Sequence, residues 1–165
     1  MSTLSRVLAK EVDKRLATHG FHRQGKNWYR RTEETTVVFH LLKGRWANEY
    51  SGGIGVLFKA VDDIPIPKVY ECHWTGNLVA GPIAWRSEPI IVTEALGTVA
   101  HGEEFQGQGE FVRALKEHGL PMMLEAGSVT GFARLLESGQ ADRLTVNGRA
   151  LHLFAHNRSK TDDAA

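Results

Sequence analysis

Eight histidines and a single cysteine are the side chains of this 165-residue chain that most invite chemistry. A zinc site needs three or four ligands at definite spacings. His19 and His22 stand three apart, but Gly20 between them reads as the end of a helix. His152 and His156 are four apart and would share a helical face, yet no HExxH or CxxC accompanies them. The histidines therefore read as surface or half-buried groups, and neither a metal nor another cofactor is expected. Cys72-His73 pairs a nucleophile type with a base type, but neighbours on a strand point to opposite faces, and cysteine is usually a core residue. Asp62-Asp63 and Glu103-Glu104 fall in loops and read as solvated pairs, not as carboxylates with split pKa values. "GGIG" leads into a strand, "GQG" lacks a preceding strand and a GK[ST] ending, and there is no GxSxG elbow. Catalysis would need a dispersed site, for which His40, His73 and an acid are the candidates.

The strongest recognition signal is "GKNWYRRTEETTVVFHLLKGRW", from Gly25 to Trp46. Alternation along its first strand puts Lys26, Trp28 and Arg30 on one face. Lys43 and Arg45 end the paired strand, and Trp46 follows in the loop. Cations beside aromatic rings suit bases, nucleotides or an acidic protein surface. These six residues form the candidate binding patch. The competing reading buries the Trp28 and Tyr29 rings while the basic groups snorkel outward and guard the strand ends. His22 and Arg23 add positive charge nearby, and Glu33 and Glu34 offset part of it.

The elements that must position these groups follow from periodicity. Leu4, Val7, Leu8, Val12 and Leu16 predict a helix over Thr3–His19, capped by Ser2 or Thr3 and stopped by Gly20, with Phe21 folding back on its stripe. "KNWYRR", "TTVVFHLLK" and "GIGVLFKAV" read as three strands, with "TEET" as a turn and "GRWANEYSGG" as a connection. "DDIPIPKVYE" is a loop or edge segment because of its prolines, and "CHWTGNLVAGPIAW" supplies a strand and a turn anchored by Trp74 and Trp85. Glu110–His118 reads as a helix ended by Gly119 and Pro121. "SVTGFARLLESG" reads as another, with Ser128 as cap, Leu135 and Leu136 inward and Gly139 as stop. "LTVNGRALHLFAHNR" allows a hairpin at Asn147-Gly148 or a helix capped by Thr145 that buries Ala150, Leu151 and Phe154; the helix is preferred.

In order, "GFHRQGKNWYRR", the apolar strand, "KGRW", "GGIGV", "ECHWTGNL" and "HGLPMMLEAGSVTGFARLL" resemble the bacterial family DUF4304 over roughly residues 1–138. Members typically carry a helix, a GF…G…FYRR-like strand, a Q-K-S-x-W-like strand end and a late "LP" before a short helix. Leu42 and Gly44 stand where the family often has glutamine and serine, so a function carried by those polar groups does not transfer. No activity is assigned to the family, and the resemblance bears on fold.

A length of 165 residues suits one domain, here 1–158, followed by a polar, disordered tail over 159–165. The expected fold is α+β: an N-terminal helix packed on a mostly antiparallel sheet of four or more strands, with helices in the C-terminal third. Twenty basic against nineteen acidic residues give a net charge of +1, which counts against nucleic acid as the partner. One cysteine excludes an intramolecular disulfide, and the N-terminus lacks the apolar core of a signal peptide. No run suits a membrane span, and the expected location is cytoplasmic. Three functions stay open: a non-catalytic binding module for a protein partner, including an immunity-like role; a nucleotide or nucleic-acid binder using the patch; and an enzyme with a dispersed site. The oligomeric state is left open.

Overall fold

The first helix forms because its apolar residues recur every three or four positions. α1 (Thr3–Leu16) buries Leu4, Leu8, Val12 and Leu16 completely, each contributing roughly 2 kcal/mol of transfer free energy. Ser2 caps it, its Oγ accepting the Ser5 N–H at 3.2 Å. One 3-10 turn over Ala17–His19 carries the chain to Gly20, whose φ of 80° ends the helical run. Phe21 then folds back, 3% exposed, with its N–H on the Leu16 carbonyl. The computed structural model describes residues 2–45, 48–79, 88–94 and 102–158. Trp46, Trp85 and the 159–165 tail lie outside the described residues.

The sheet is antiparallel throughout, built from β1 (His22–Gln24), β2 (Asn27–Arg31), β3 (Thr35–Lys43), β4 (Glu49–Phe58), β5 (Trp74–Asn77) and β6 (Val92–Thr93). The order is β1-β2-β3-β4-β5, and β6 joins β4 at Glu49 and Tyr50, beyond the stretch that β5 pairs. The architecture is therefore α+β, with the helix, sheet and C-terminal helices expected from the sequence.

β4 runs further than expected, because "EYSGG" is strand and not connection. Gly52 is required there by packing: a Cβ would come within 2.9 Å of the Phe39 ring and 3.0 Å of Leu78 Cβ. The three-residue β1 was too short to leave a periodic signal.

One sheet face carries the main core. Trp28, Phe39, Ile54, Val56, Phe58 and Trp74 point to α1 and the C-terminal helices. Trp28 Nε1 donates to Asp13 Oδ1 at 2.7 Å, fastening β2 to α1.

In the last third, α2 (Gln108–Ala114) does not stop at Gly119. It continues through a π turn over Leu115–Gly119 into α3 (Leu120–Glu125). The Leu120 N–H reaches the Leu115 carbonyl five residues back, and the widened turn admits Pro121, which has no N–H and would crowd a regular turn. α4 (Val129–Glu137) begins at Ser128, whose Oγ accepts the Gly131 N–H at 2.9 Å. Leu135 is buried and Leu136 half-buried, and Gly139 turns the chain at φ 76°. The final segment is neither hairpin nor α-helix. It forms 3-10 turns over Arg143–Thr145 and Leu151–Arg158, the first capped by Asp142 instead of by Thr145. Ala150 and Phe154 are buried as expected, while Leu151 is 37% exposed.

Candidate functional site

β2 alternates as expected, and Lys26, Trp28 and Arg30 do share a side of the sheet. That side is the covered one. Trp28 is 1% exposed, wedged against Phe39 with Arg23 over its other part at 5.3 Å, so its ring offers nothing to an outside base. Arg30 is half-buried near the α3–α4 junction, where a Cβ on Gly127 would meet its Nη1 at 2.5 Å. Lys26 sits at the other end, its Nζ 5.1 Å above the Tyr50 ring. Lys43 pairs with Tyr50 in the register and is exposed, as is Arg45. Trp46 falls outside the described residues. Lys26, Lys43 and Arg45 therefore lie towards one end of the hairpin and Arg30 towards the other, with the Trp28 ring withdrawn between them.

The "TEET" turn has its own task. Thr35 Oγ1 donates to the Ala126 carbonyl, Thr32 Oγ1 to the Gly127 carbonyl, and Glu34 Oε2 accepts the Val129 N–H at 2.7 Å. It is the seat of the α3–α4 junction, and Glu34 adds a carboxylate at the first turn of α4.

Cys72 and His73 diverge as neighbouring residues should. Cys72 is buried beside Tyr29, Val38 and Leu57, and burial pushes its thiol up to about 12, with Glu71 adding to the shift. Such a thiol is no nucleophile near neutral pH. His73 is 3% exposed; its Nδ1 accepts the Phe58 N–H at 2.9 Å, and its Nε2 lies 3.0 Å from Asp62 Oδ2. Asp62 also receives Arg149 at 3.0 Å, which ties the C-terminal segment to the sheet. Both nitrogens of His73 are spent on the protein itself, leaving no lone pair for a substrate. His40 belongs to another part of the sheet, and the two histidines do not share a site.

Among the described residues, the opposite sheet face is only half covered. The segment Asp62–Glu71, between β4 and β5, crosses it as a strap. Ile64 and Val69 of the strap pack on Tyr29, Val38, Leu57 and Cys72. Arg31 holds it through Asp63 at 3.1 Å and the Pro65 carbonyl at 3.0 Å. Beyond the strap no described residue covers the face. There the register aligns Gln24, Asn27, His40, Gly53 and Asn77 in one row across β1 to β5. Directly paired residues point to the same side, about 5 Å apart. The row is polar at every position except Gly53, which has no side chain.

That gap lies in a cleft of about 610 Å³, lined by Asn27, His40, Leu42, Gly53, Thr75 and Asn77 from the sheet and by Lys68, Val69 and Tyr70 from the strap. His40 Nδ1 is hydrogen-bonded to Asn27 Oδ1. Burial, and then the charge of Lys26, lower the His40 pKa from its ordinary 6.5. Tyr70 stands 75% exposed on the rim, and Ile66 is 52% exposed on the same strap. Of these residues the sequence marks His40, as a candidate for a dispersed site, and Leu42, as a departure from the family pattern. The others carry no motif, and their common signal is register, which becomes readable once β2 to β5 are paired.

Among the described residues, no group of three or more His, Cys, Asp or Glu is placed to hold a metal ion. Among the same residues, no helix is long and apolar enough to cross a membrane. No protein-family model, curated protein or solved structure matches this chain.

Proposed function

We propose that this protein is a non-catalytic binding module that holds a protein partner on the open half of its sheet, an immunity-like role being one form of that activity. The observation that carries the reading is the cleft around His40 with an exposed aromatic side chain, Tyr70, on its rim. Apolar groups exposed next to a concave, partly polar surface are a common signature of interaction sites. The two residues most suggestive of catalysis, Cys72 and His73, are occupied in packing and hydrogen bonding.

A photo-crosslinking side chain placed at Tyr70, and in a second variant at Arg45, tests the reading in lysate of the native cell. One protein captured from position 70 and not from position 45 is the expected result. Capture from position 45 alone overturns the use of the open face, as does capture from neither position.

A further inference from the structure

The binding reading leaves the chemistry of the partner open, and the row through Gly53 narrows it. A glycine on an interior strand, flanked by polar side chains, makes a socket one side chain wide. Its neighbours across the sheet are His40 on β3 and Asn77 on β5, about 10 Å apart over two strand spacings. Packing does not demand Gly53 as it demands Gly52. A Cβ at Gly53 would meet only Leu42 Cδ1 closely, at 2.9 Å, and that is the movable end of a side chain.

One ammonium faces the socket, that of Lys68, held over the Tyr70 ring at 5.5 Å and within the field of Glu71. Lys26, on the covered side of the sheet, adds only its field at His40. None of the described lining residues is a carboxylate. The acids nearby on the strap have partners: Glu71 Oε2 accepts the Lys68 N–H at 2.7 Å, Asp63 pairs with Arg31, and Asp62 pairs with His73 and Arg149. The donors available to an occupant are the Asn77 amide, the Thr75 hydroxyl and the Lys68 ammonium, together with the Asn27 amide hydrogens that its Oδ1 contact with His40 leaves unspent. Charge-assisted hydrogen bonds from such donors favour an oxyanion over a neutral acceptor.

We infer that the partner presents an acidic side chain from an extended segment, and that its carboxylate enters the socket above Gly53. This rests on the binding reading and adds the chemistry of the group recognised. A flanking residue of such a segment reaches Tyr70 on the rim of the cleft, which a free carboxylate would not touch.

Backbone amide NMR titration of the whole chain tests the inference with three probes: the capped peptide Gly-Ser-Glu-Ser-Gly, its Gln counterpart, and propionate. The expected result is that the Glu peptide shifts the amides of Asn27, His40, Gly53 and Asn77. The Gln peptide should bind about tenfold more weakly, as the loss of one charge-assisted contact implies. Propionate should bind more weakly than the Glu peptide. Lys68→Gln should weaken the Glu peptide several-fold. Gly53→Val should abolish its effect while the rest of the spectrum stays that of the folded protein.

Equal binding of the Glu and Gln peptides at the row overturns the inference and leaves the binding reading standing. Propionate binding as tightly as the Glu peptide overturns the assignment to a polypeptide. Absence of any shift on the open face overturns the inference as well. The crosslink at Tyr70 then decides separately whether the binding reading falls with it, since that readout does not depend on the partner's charge.

Discussion

Because Nδ1 of His73 accepts the Phe58 N–H, its ring proton resides on Nε2 and is donated to Asp62. The His73 ring also lies parallel to Phe58, with centroids 5.9 Å apart. A buried histidine beside an aspartate looks like two members of a catalytic triad, but here the bonds close on the backbone and on Arg149. Asp62 is exposed enough that its contribution is to the pH profile more than to total stability. Hydrogen bonds from His73 and Arg149 hold the Asp62 carboxyl below its usual 3.8. A carboxyl whose folded value lies below its unfolded one stabilises the fold above the unfolded value. That contribution is lost as pH falls through the folded value. Asp62→Asn should therefore lower the urea midpoint at pH 7. Its gap from wild type should shrink below about pH 4 as the wild-type carboxyl takes up its proton. Urea melts at several pH values check this, and a gap that persists unchanged at pH 2 to 3 would show that Asp62 acts through packing alone.

Glycine is where sequence and element part company. Read locally, Gly52-Gly53 marks the join between a connection and a strand, yet both lie inside β4. Gly52 is dictated by Phe39 and Leu78, partners that no local pattern could reveal, while Gly53 opens the socket. Likewise Pro121 reads as a stop, and the π turn before it lets the chain stay helical. α1 and α4 were legible because stripe, cap and stop agree for each of them: Ser2 with Gly20, and Ser128 with Gly139. Gly131 on α4 gives the sharpest test of packing against propensity. Alanine there should gain up to about 1 kcal/mol of helix propensity. Its Cβ, however, would stand 1.9 Å from the Glu125 carbonyl oxygen at the end of α3. We expect Gly131→Ala to destabilise by about 3 kcal/mol, and Gly53→Ala to stay within about 1 kcal/mol of wild type. Thermal and urea melts of the two variants measure this contrast. A neutral Gly131→Ala would mean that α3 and α4 are not in such close contact.

At the scale of the whole molecule, the sheet decides which charges can act together. Alternation on β2 was legible, but which side would be covered was not, because α1 and the C-terminal helices settle that from a distance. Trp28 went inward, and Asn27, on the other side, went to the cleft. The result is a molecule of net charge +1 whose cleft on the open face is lined by one cation, Lys68, while Lys26 lies on the covered side above Tyr50. If Lys68 is the charge an acidic segment meets, counterion release is limited to about one ion. The affinity for the protein crosslinked at Tyr70 should then fall by no more than about tenfold between 50 and 200 mM salt. A polyanion engaged through many phosphate contacts loses roughly a thousandfold or more over the same range. Isothermal titrations of the captured partner at several salt concentrations separate the two. A shallow slope that flattens further in Lys68→Gln places the electrostatics at the cleft. A steep slope, insensitive to Lys68 but reduced by Lys43→Gln and Arg45→Gln, would instead move the binding surface to the hairpin end that carries those two residues.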